Sequence, residues 1–461
     1  MAKGVFTGKV FSKLRVTTAC IHVAVIITCL FLSVMGKADS MVHGCAYYDI
    51  DVEVSSVSYE ISVKLVIGFD IDTLDHIAVF LLTDGAEIGS LLLVKSGVSD
   101  PIVWKRSGAD TLRVDLSELA GLKRAYLQFK YRLPPDTLDN GDIMLRREER
   151  WYPILSAVPA RYRISFKAPG RYHVFSSGQK VFTELEHGRA KGVWIKDRPT
   201  YTMPIYFMDT SRVRVFSREA SGVTVAYHAR LADDSTAEAI LDQCLQSLNH
   251  YNAILGPYPY SELSLVDVPG FRAVQSLATL MLIGQMFVQY YWHEGWGNWP
   301  AHEVAHQWIG HIVLTNKLGA RPGRLFVEES LAEYLRIDFI RSVFGEDSAK
   351  AVLQQYQTKV DEIADDAVDL SLYNLSLQGR IKGIMINKQG PLVWHRLRTE
   401  LGESHWNELL HQISEQYYFK YFDYDALRLT LLQVSNDSSV VALFDSLVGC
   451  ELSLQTTESD R

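Results

Sequence analysis

The sequence predicts an α+β protein: an N-terminal β-sandwich or saddle-shaped sheet domain, then a mainly helical domain. Three observations carry that expectation. From about Cys45 to Val215, apolar residues recur with the two-residue period of strands. Beyond about Ser235 the spacing becomes that of helices. The helical part holds His302-Glu303-Val304-Ala305-His306, which sets two imidazoles four residues apart on one helix face.

The elements follow in chain order. Lys3, Lys9, Lys13 and Arg15 precede an apolar run from about Ala19 to Met35, and Gly36-Lys37-Ala38 offers small residues for cleavage. Residues 1–39 therefore read as a signal peptide or an uncleaved membrane anchor. Either way the bulk of the chain is expected to be exported, periplasmic or extracellular, with a possible membrane tether, because the cationic flank stays inside. Residues 40–215 form the expected β domain. Tyr48, Ile50 and Val52 alternate with polar residues, as do Ile61, Val63 and Leu65, and residues 78–82, 112–116 and 162–166 give further strands. Asp139-Asn140-Gly141 and Pro169-Gly170 supply turns.

Residues 216–450 form the second domain. Val223, Val225 and Tyr227 open it with a strand. Ser235-Thr236-Ala237-Glu238 reads as a capping box before a helix burying Ile240, Leu241, Cys244, Leu245 and Leu248. Gly256-Pro257 ends that helix, and Leu263 to Val268 is a strand stopped by Pro269-Gly270. Pro300 suits the first turn of the His302 helix, and a second helix starts from about Glu328. Residues 451–461 are a polar tail.

Composition narrows the function. The 461 residues are 48% hydrophobic and 22% charged, ordinary globular values. A formal charge of −8 argues against nucleic acid as a partner. Cys20 and Cys29 lie in the targeting segment; Cys45, Cys244 and Cys450 remain, an odd number too widely spaced for a disulfide framework or a zinc knuckle.

The specific chemistry sits at residues 302–306. Two histidines and one carboxylate around an open fourth position make a catalytic site for one zinc ion. Glu303 lies beside the pair, where a carboxylate takes a proton from metal-bound water. The third ligand must come from downstream, where Phe326-Val-Glu-Glu-Ser-Leu-Ala-Glu-Tyr334 supplies candidates at a helix start; Glu329 is the choice and Glu328 the alternative. Glu333 falls one turn beyond Glu329, placed to accept a hydrogen bond from the far nitrogen of a ligating histidine. The bland reading, two surface histidines and an ordinary glutamate, fits poorly with an apolar helix. Val304, Ala305, Trp308 and Ile309 surround the motif, and buried histidines without partners are costly. His311 reads as a capping or core histidine. Trp292, Trp296 and Trp299 read as packing or a cleft wall. No histidine follows His293-Glu294 at the required spacing.

With these residues in hand, the chain resembles the gluzincin metallopeptidases, specifically the membrane alanyl aminopeptidase family and its leukotriene-A4-hydrolase-like relatives. His302-Glu-Val-Ala-His-Gln-Trp-Ile-Gly310 is similar to that family's motif helix, and residues 326–334 to its third-ligand helix, with the ligand at Glu329. Gly256-Pro-Tyr-Pro-Tyr260, Leu265-Val-Asp-Val-Pro269 and Trp151-Tyr-Pro153 also resemble family features. The resemblance implies a thermolysin-like catalytic domain behind a β-saddle, one zinc, and a peptide or protein substrate.

Three departures accompany it. The 22 residues between His306 and Glu329 exceed the family's spacing, with the excess in the loop-like stretch 316–323. The family's Gly-x-Met-Glu-Asn motif, whose Glu holds the substrate amino group, reads Ala273-Val-Gln-Ser-Leu277 here, with Ser276 at the Glu position. The family's oxyanion-stabilising Tyr is replaced by Asn387 in Asn387-Lys-Gln-Gly390; an amide donates with shorter reach, and Tyr373 is the other candidate donor. The sequence therefore predicts a zinc metallopeptidase, aminopeptidase-like by resemblance. Its alternative is a catalytically weak, zinc-containing peptide-binding or scaffold protein. Hydrolysis of a non-peptide substrate is a third possibility that the resemblance permits.

Overall fold

The structure is a computed structural model. It describes residues 45–449 apart from 72–75, 96–97, 120–121, 135–140, 156–157, 212, 293–296, 316–321, 364–370 and 376–378. The expected targeting segment, the polar tail, Cys450, Trp296, His293 and Glu294 lie outside the described residues. Among the described residues no helix is long and apolar enough to cross a membrane.

Alternation builds the first half. In the strand Ala46–Val54 the side chains of Ala46, Tyr48, Ile50, Val52 and Val54 are buried, while Asp51 and Glu53 face solvent. This strand lies inside an eight-stranded sheet, parallel to Ala160–Pro169 and antiparallel to Ile61–Asp70. A four-stranded sheet shares its core: Phe80 meets Phe129 of the large sheet edge-on at 5.5 Å. A third sheet, of Tyr172–Ser176, Ile205–Asp209 and Ile143–Leu145, leads to the second half.

The second half opens with a mixed five-stranded sheet in the order Arg214–Ala220, Val223–Ala229, Glu262–Val268, Leu280–Gly284, Val274–Leu277. The last of these is an edge strand. The helix after Ala229 starts earlier than the expected capping box. Asp233 is the cap, accepting the Thr236 amide at 2.7 Å, so Ser235 already lies in the first turn. Gly256, at φ +83°, ends this helix as expected. Helices Leu331–Phe344, Glu346–Asp361, Gly390–Gln416, Tyr424–Ser435 and Ser438–Val448 complete the core, in which Trp308, Trp394 and Trp406 are fully buried. A β part followed by a mainly helical part is the architecture the sequence predicts.

The halves meet through an apolar layer and two polar ties. Met144, Phe175, Tyr206 and Met208 pack on Val266, Val268, Leu277, Leu280 and Leu282. Asp142, fully buried, pairs with Arg230 and accepts from Tyr206. Gly178 donates its amide to Thr279 Oγ1 at 2.8 Å. Near this junction the rings of His173, Phe175 and His228 lie against one another, with His173 and His228 centred 5.2 Å apart. These three line a cavity of about 130 Å³ together with Lys180, Glu262 and Trp194.

Candidate metal centre

The first contributor is a short helix, Trp299–Ala305, with Pro300 in its first turn. His306 is its C-cap and keeps helical geometry, its amide donating to His302 O at 3.3 Å, so the two imidazoles stay one turn apart on one face. Their Nε2 atoms are 3.1 Å apart. The second contributor is the five-residue turn Phe326–Ser330, wound wider than an α-helix, which runs into Leu331–Phe344. Such widened turns recur at functional sites because they re-aim side chains. This one carries Glu329, whose Oε2 lies 3.3 Å from His306 Nε2 and 3.8 Å from His302 Nε2. The three donor atoms fall within 4.8 Å of one another.

The donor set fits zinc. Ligands at zinc bond lengths in a tetrahedron sit about 3.3 Å apart, close to the separations found here. The far ring nitrogens face outward, as metal-binding histidines require. His302 Nδ1 meets Glu333 Oε2 at 2.8 Å, the contact expected from helical phase, and His306 Nδ1 meets the Ile309 carbonyl at 3.1 Å. Burial opposes charge on His302, yet Glu329 and Glu333 raise its pKa to about 10. Burial also opposes charge on Glu329, but His306 and His302 hold its carboxyl well below the usual range. A metal binds the deprotonated ligands, so it competes with protons for these groups.

Glu333 is the hub behind His302. Its carboxylate also takes Arg336, at 2.9 Å, and the Tyr356 hydroxyl, with Lys388 Nζ 3.9 Å away. Despite full burial, Arg336, His302 and Lys388 keep its pKa well below the usual range. Glu328, the alternative ligand, is committed elsewhere: Oε2 accepts from Thr315 Oγ1 at 2.7 Å and Arg324 at 2.8 Å. Gly310, at φ +110°, leaves room for it; a Cβ there would sit 3.2 Å from Glu328 Oε1.

Glu303 is buried on the motif helix. Its backbone carbonyl accepts the Ser276 hydroxyl at 2.8 Å, tying the edge strand Val274–Leu277 to the helix. Gln307, fully buried, completes the tie. Its Nε2 donates to Ser276 Oγ at 2.8 Å and Leu277 O at 2.9 Å, while Oε1 accepts from Thr279 N at 2.9 Å and Tyr258 OH at 3.1 Å. His311 is a core histidine, its Nε2 3.0 Å from Ser276 O. Thus Ser276, at the position of the family's amine-holding Glu, is buried and committed to the protein.

The two candidate oxyanion donors have different settings. Asn387 is partly buried in a second widened turn, Met385–Gln389, whose neighbours bind the Glu329 helix: Ser330 Oγ donates to Ile386 O at 2.6 Å. Tyr373 packs edge-on against Tyr424 at 4.9 Å, and its backbone bonds Gly323 and Val448. Sequence reasoning passed over Gln307, Ser330, Arg336, Tyr356 and Lys388. Arg336, three residues after Glu333 on one helix, carried a usable signal; Tyr356 and Lys388 come from distant segments and carried none.

No family model matches the sequence. Aminopeptidase M1-C of Oryza sativa subsp. japonica is 22% identical over 302 residues, covering 61% of this chain and 33% of that protein. Aminopeptidase M1-B of the same plant is 23% identical over 202 residues, covering 41% of this chain and 22% of that protein. The matches thus span a third or less of these curated relatives. Among solved structures, the M1 zinc metallopeptidase from Deinococcus radiodurans superposes with a TM-score of 0.67 at 15% identity, over 87% of this chain and 92% of that one. A mutant M1 zinc metallopeptidase from the same organism, bound to a Tyr-Ser-Ala substrate, gives 0.66 at 16% identity, over 88% and 94%. Native yeast LTA4 hydrolase gives 0.67 at 13% identity, over 87% and 66%. The chain therefore has the fold of the M1 zinc metallopeptidases and resembles the gluzincin aminopeptidases in its motifs.

Proposed function

We propose that the chain is a zinc-dependent peptide hydrolase that holds one ion with His302, His306 and Glu329 and uses Glu303 as its general base. The observation carrying this reading is the convergence of the three donors, with Glu333 orienting His302. Names of the similar proteins, M1 aminopeptidases and an M1 metallopeptidase with a bound peptide, support the same substrate class. When bound, zinc supplies Lewis acidity that polarises a carbonyl and lowers the pKa of water towards about 7.

The chain's own residues do the rest. Glu303 accepts the proton from the attacking water and delivers it to the leaving amine. Asn387 donates its amide N–H to the oxyanion, with Tyr373 the other candidate. Ser276 offers no carboxylate to a substrate ammonium, and its hydroxyl is already used. The loss of both the amine-holding Glu and the oxyanion Tyr favours a second reading, peptide binding with little turnover. The cationic and apolar pattern of residues 1–39 supports action outside the cytoplasm, with that segment as a signal peptide or a membrane tether, which fractionation of expressing cells would check.

One experiment decides between hydrolysis and binding. Purified protein and Glu303→Gln are compared for zinc content and for hydrolysis of free and N-blocked fluorogenic peptides. The expected result is equal zinc in both, with turnover at least about 100-fold lower in the variant. Equal turnover in both would remove Glu303 from the mechanism, and zinc with peptide affinity but no turnover in either would favour the binding reading.

A further inference from the structure

We propose that Lys388 and Ser330 are positioning residues that fix the backbone of Asn387 against the helix bearing Glu329 and Glu333, so that its short amide can serve as the oxyanion donor. The inference rests on the peptidase reading and goes beyond it by assigning tasks to two residues outside the metal set.

Asn387 sits at the centre of the widened turn Met385–Gln389, and both its neighbours are tied to one stretch of the site helix. On one side, Ile386 O accepts the hydroxyl of Ser330, the residue next to Glu329, at 2.6 Å. On the other, Lys388 reaches back to within 3.9 Å of Glu333 Oε1, with its ammonium 3.8 Å from the centre of the Tyr356 ring. Gly390 permits the approach, since a Cβ there would collide with Ser330 Oγ. Lys388 is 8% exposed and Ser330 fully buried.

A buried lysine needs a reason. Desolvating an ammonium costs several kcal/mol unless it is paired. Glu333 already has three closer partners in His302, Arg336 and Tyr356, so this cation adds only to its ionisation. What the lysine secures is its own segment. Asn is a shorter donor than Tyr, so an amide serving this role must be held with little backbone freedom. Productive geometry tolerates about 0.5 Å of error. Ties on both flanks of Asn387 supply that constraint. Lys388 thereby links the turn carrying the oxyanion donor to the acid that orients a metal ligand.

The test is a double-mutant cycle on the zinc-loaded protein. Lys388→Met, Lys388→Arg, Asn387→Ala and the Lys388→Met/Asn387→Ala double variant are compared for kcat, KM, zinc content and affinity for a phosphonate peptide analogue of the tetrahedral transition state. Lys388→Met is expected to lower kcat about 10-fold with KM nearly unchanged and zinc still stoichiometric. Analogue affinity should fall by a similar factor, and Lys388→Arg should restore most of both. The double variant should match Asn387→Ala alone, because Lys388 acts through Asn387. If Lys388→Met does not fold, Ser330→Ala cuts the other tie and should show the same non-additivity. Unchanged kcat in the lysine variant, additive losses in the double, or zinc loss with normal turnover per zinc would each overturn the proposal. Wild type lacking all peptide hydrolysis would instead sink the peptidase reading, so the two failures are distinct.

Discussion

His302 is gripped from both ring nitrogens: one faces Glu329 and His306, the other gives Glu333 its hydrogen bond. Replacing the orienting acid should therefore loosen the metal more than the chemistry. Glu333→Gln is expected to weaken zinc about 10- to 100-fold, measured by competition with a chromogenic chelator. Glu303→Gln should leave that affinity unchanged. Ser276 gives a contrasting case. Removing its hydroxyl in Ser276→Ala leaves the Glu303 carbonyl and a Gln307 N–H short of a partner. The cost should be about 1–3 kcal/mol of stability by denaturant unfolding, with zinc retained. An aminopeptidase-type amine anchor at this position would instead show its loss in KM for free amines.

Elements differed in how plainly the sequence announced them. Ala46–Val54 and Ile61–Asp70 were legible because one face is wet, so apolar and charged residues alternate. Leu280–Gly284 is buried at every residue, which erases the alternation, and it went unread. The start of the helix Asp234–Leu255 was misplaced because Ser235 and Asp233 both suit a cap, and the aspartate takes the bond. The motif histidines and the Glu333 contact were legible from helical spacing. The Lys388 and Tyr356 links were not, because they join segments far apart in sequence. One pH prediction belongs to this scale. Burial, with His173 and Lys180 nearby, lowers the His228 pKa to about 3. An unfolded chain would bind that proton below about pH 6.5 and the folded one would not. Stability should thus be full above pH 6.5 and fall towards pH 3, by about 1.4 kcal/mol per pH unit for this group. His228→Phe should flatten that part of a curve of melting temperature against pH.

At the scale of the whole molecule, the β half and the helical half are joined by apolar packing and a few buried polar ties. Asp142→Ala strands Arg230 without its carboxylate partner and should cost about 3–5 kcal/mol, read from chemical denaturation. Gln307 is the corresponding tie at the metal centre, with four hydrogen bonds joining the motif turn to the sheet edge and to Tyr258. None of those bonds uses an atom of the three candidate metal donors. A chelator should therefore leave an empty socket rather than a slack helix, and recharging should release a proton without a folding step.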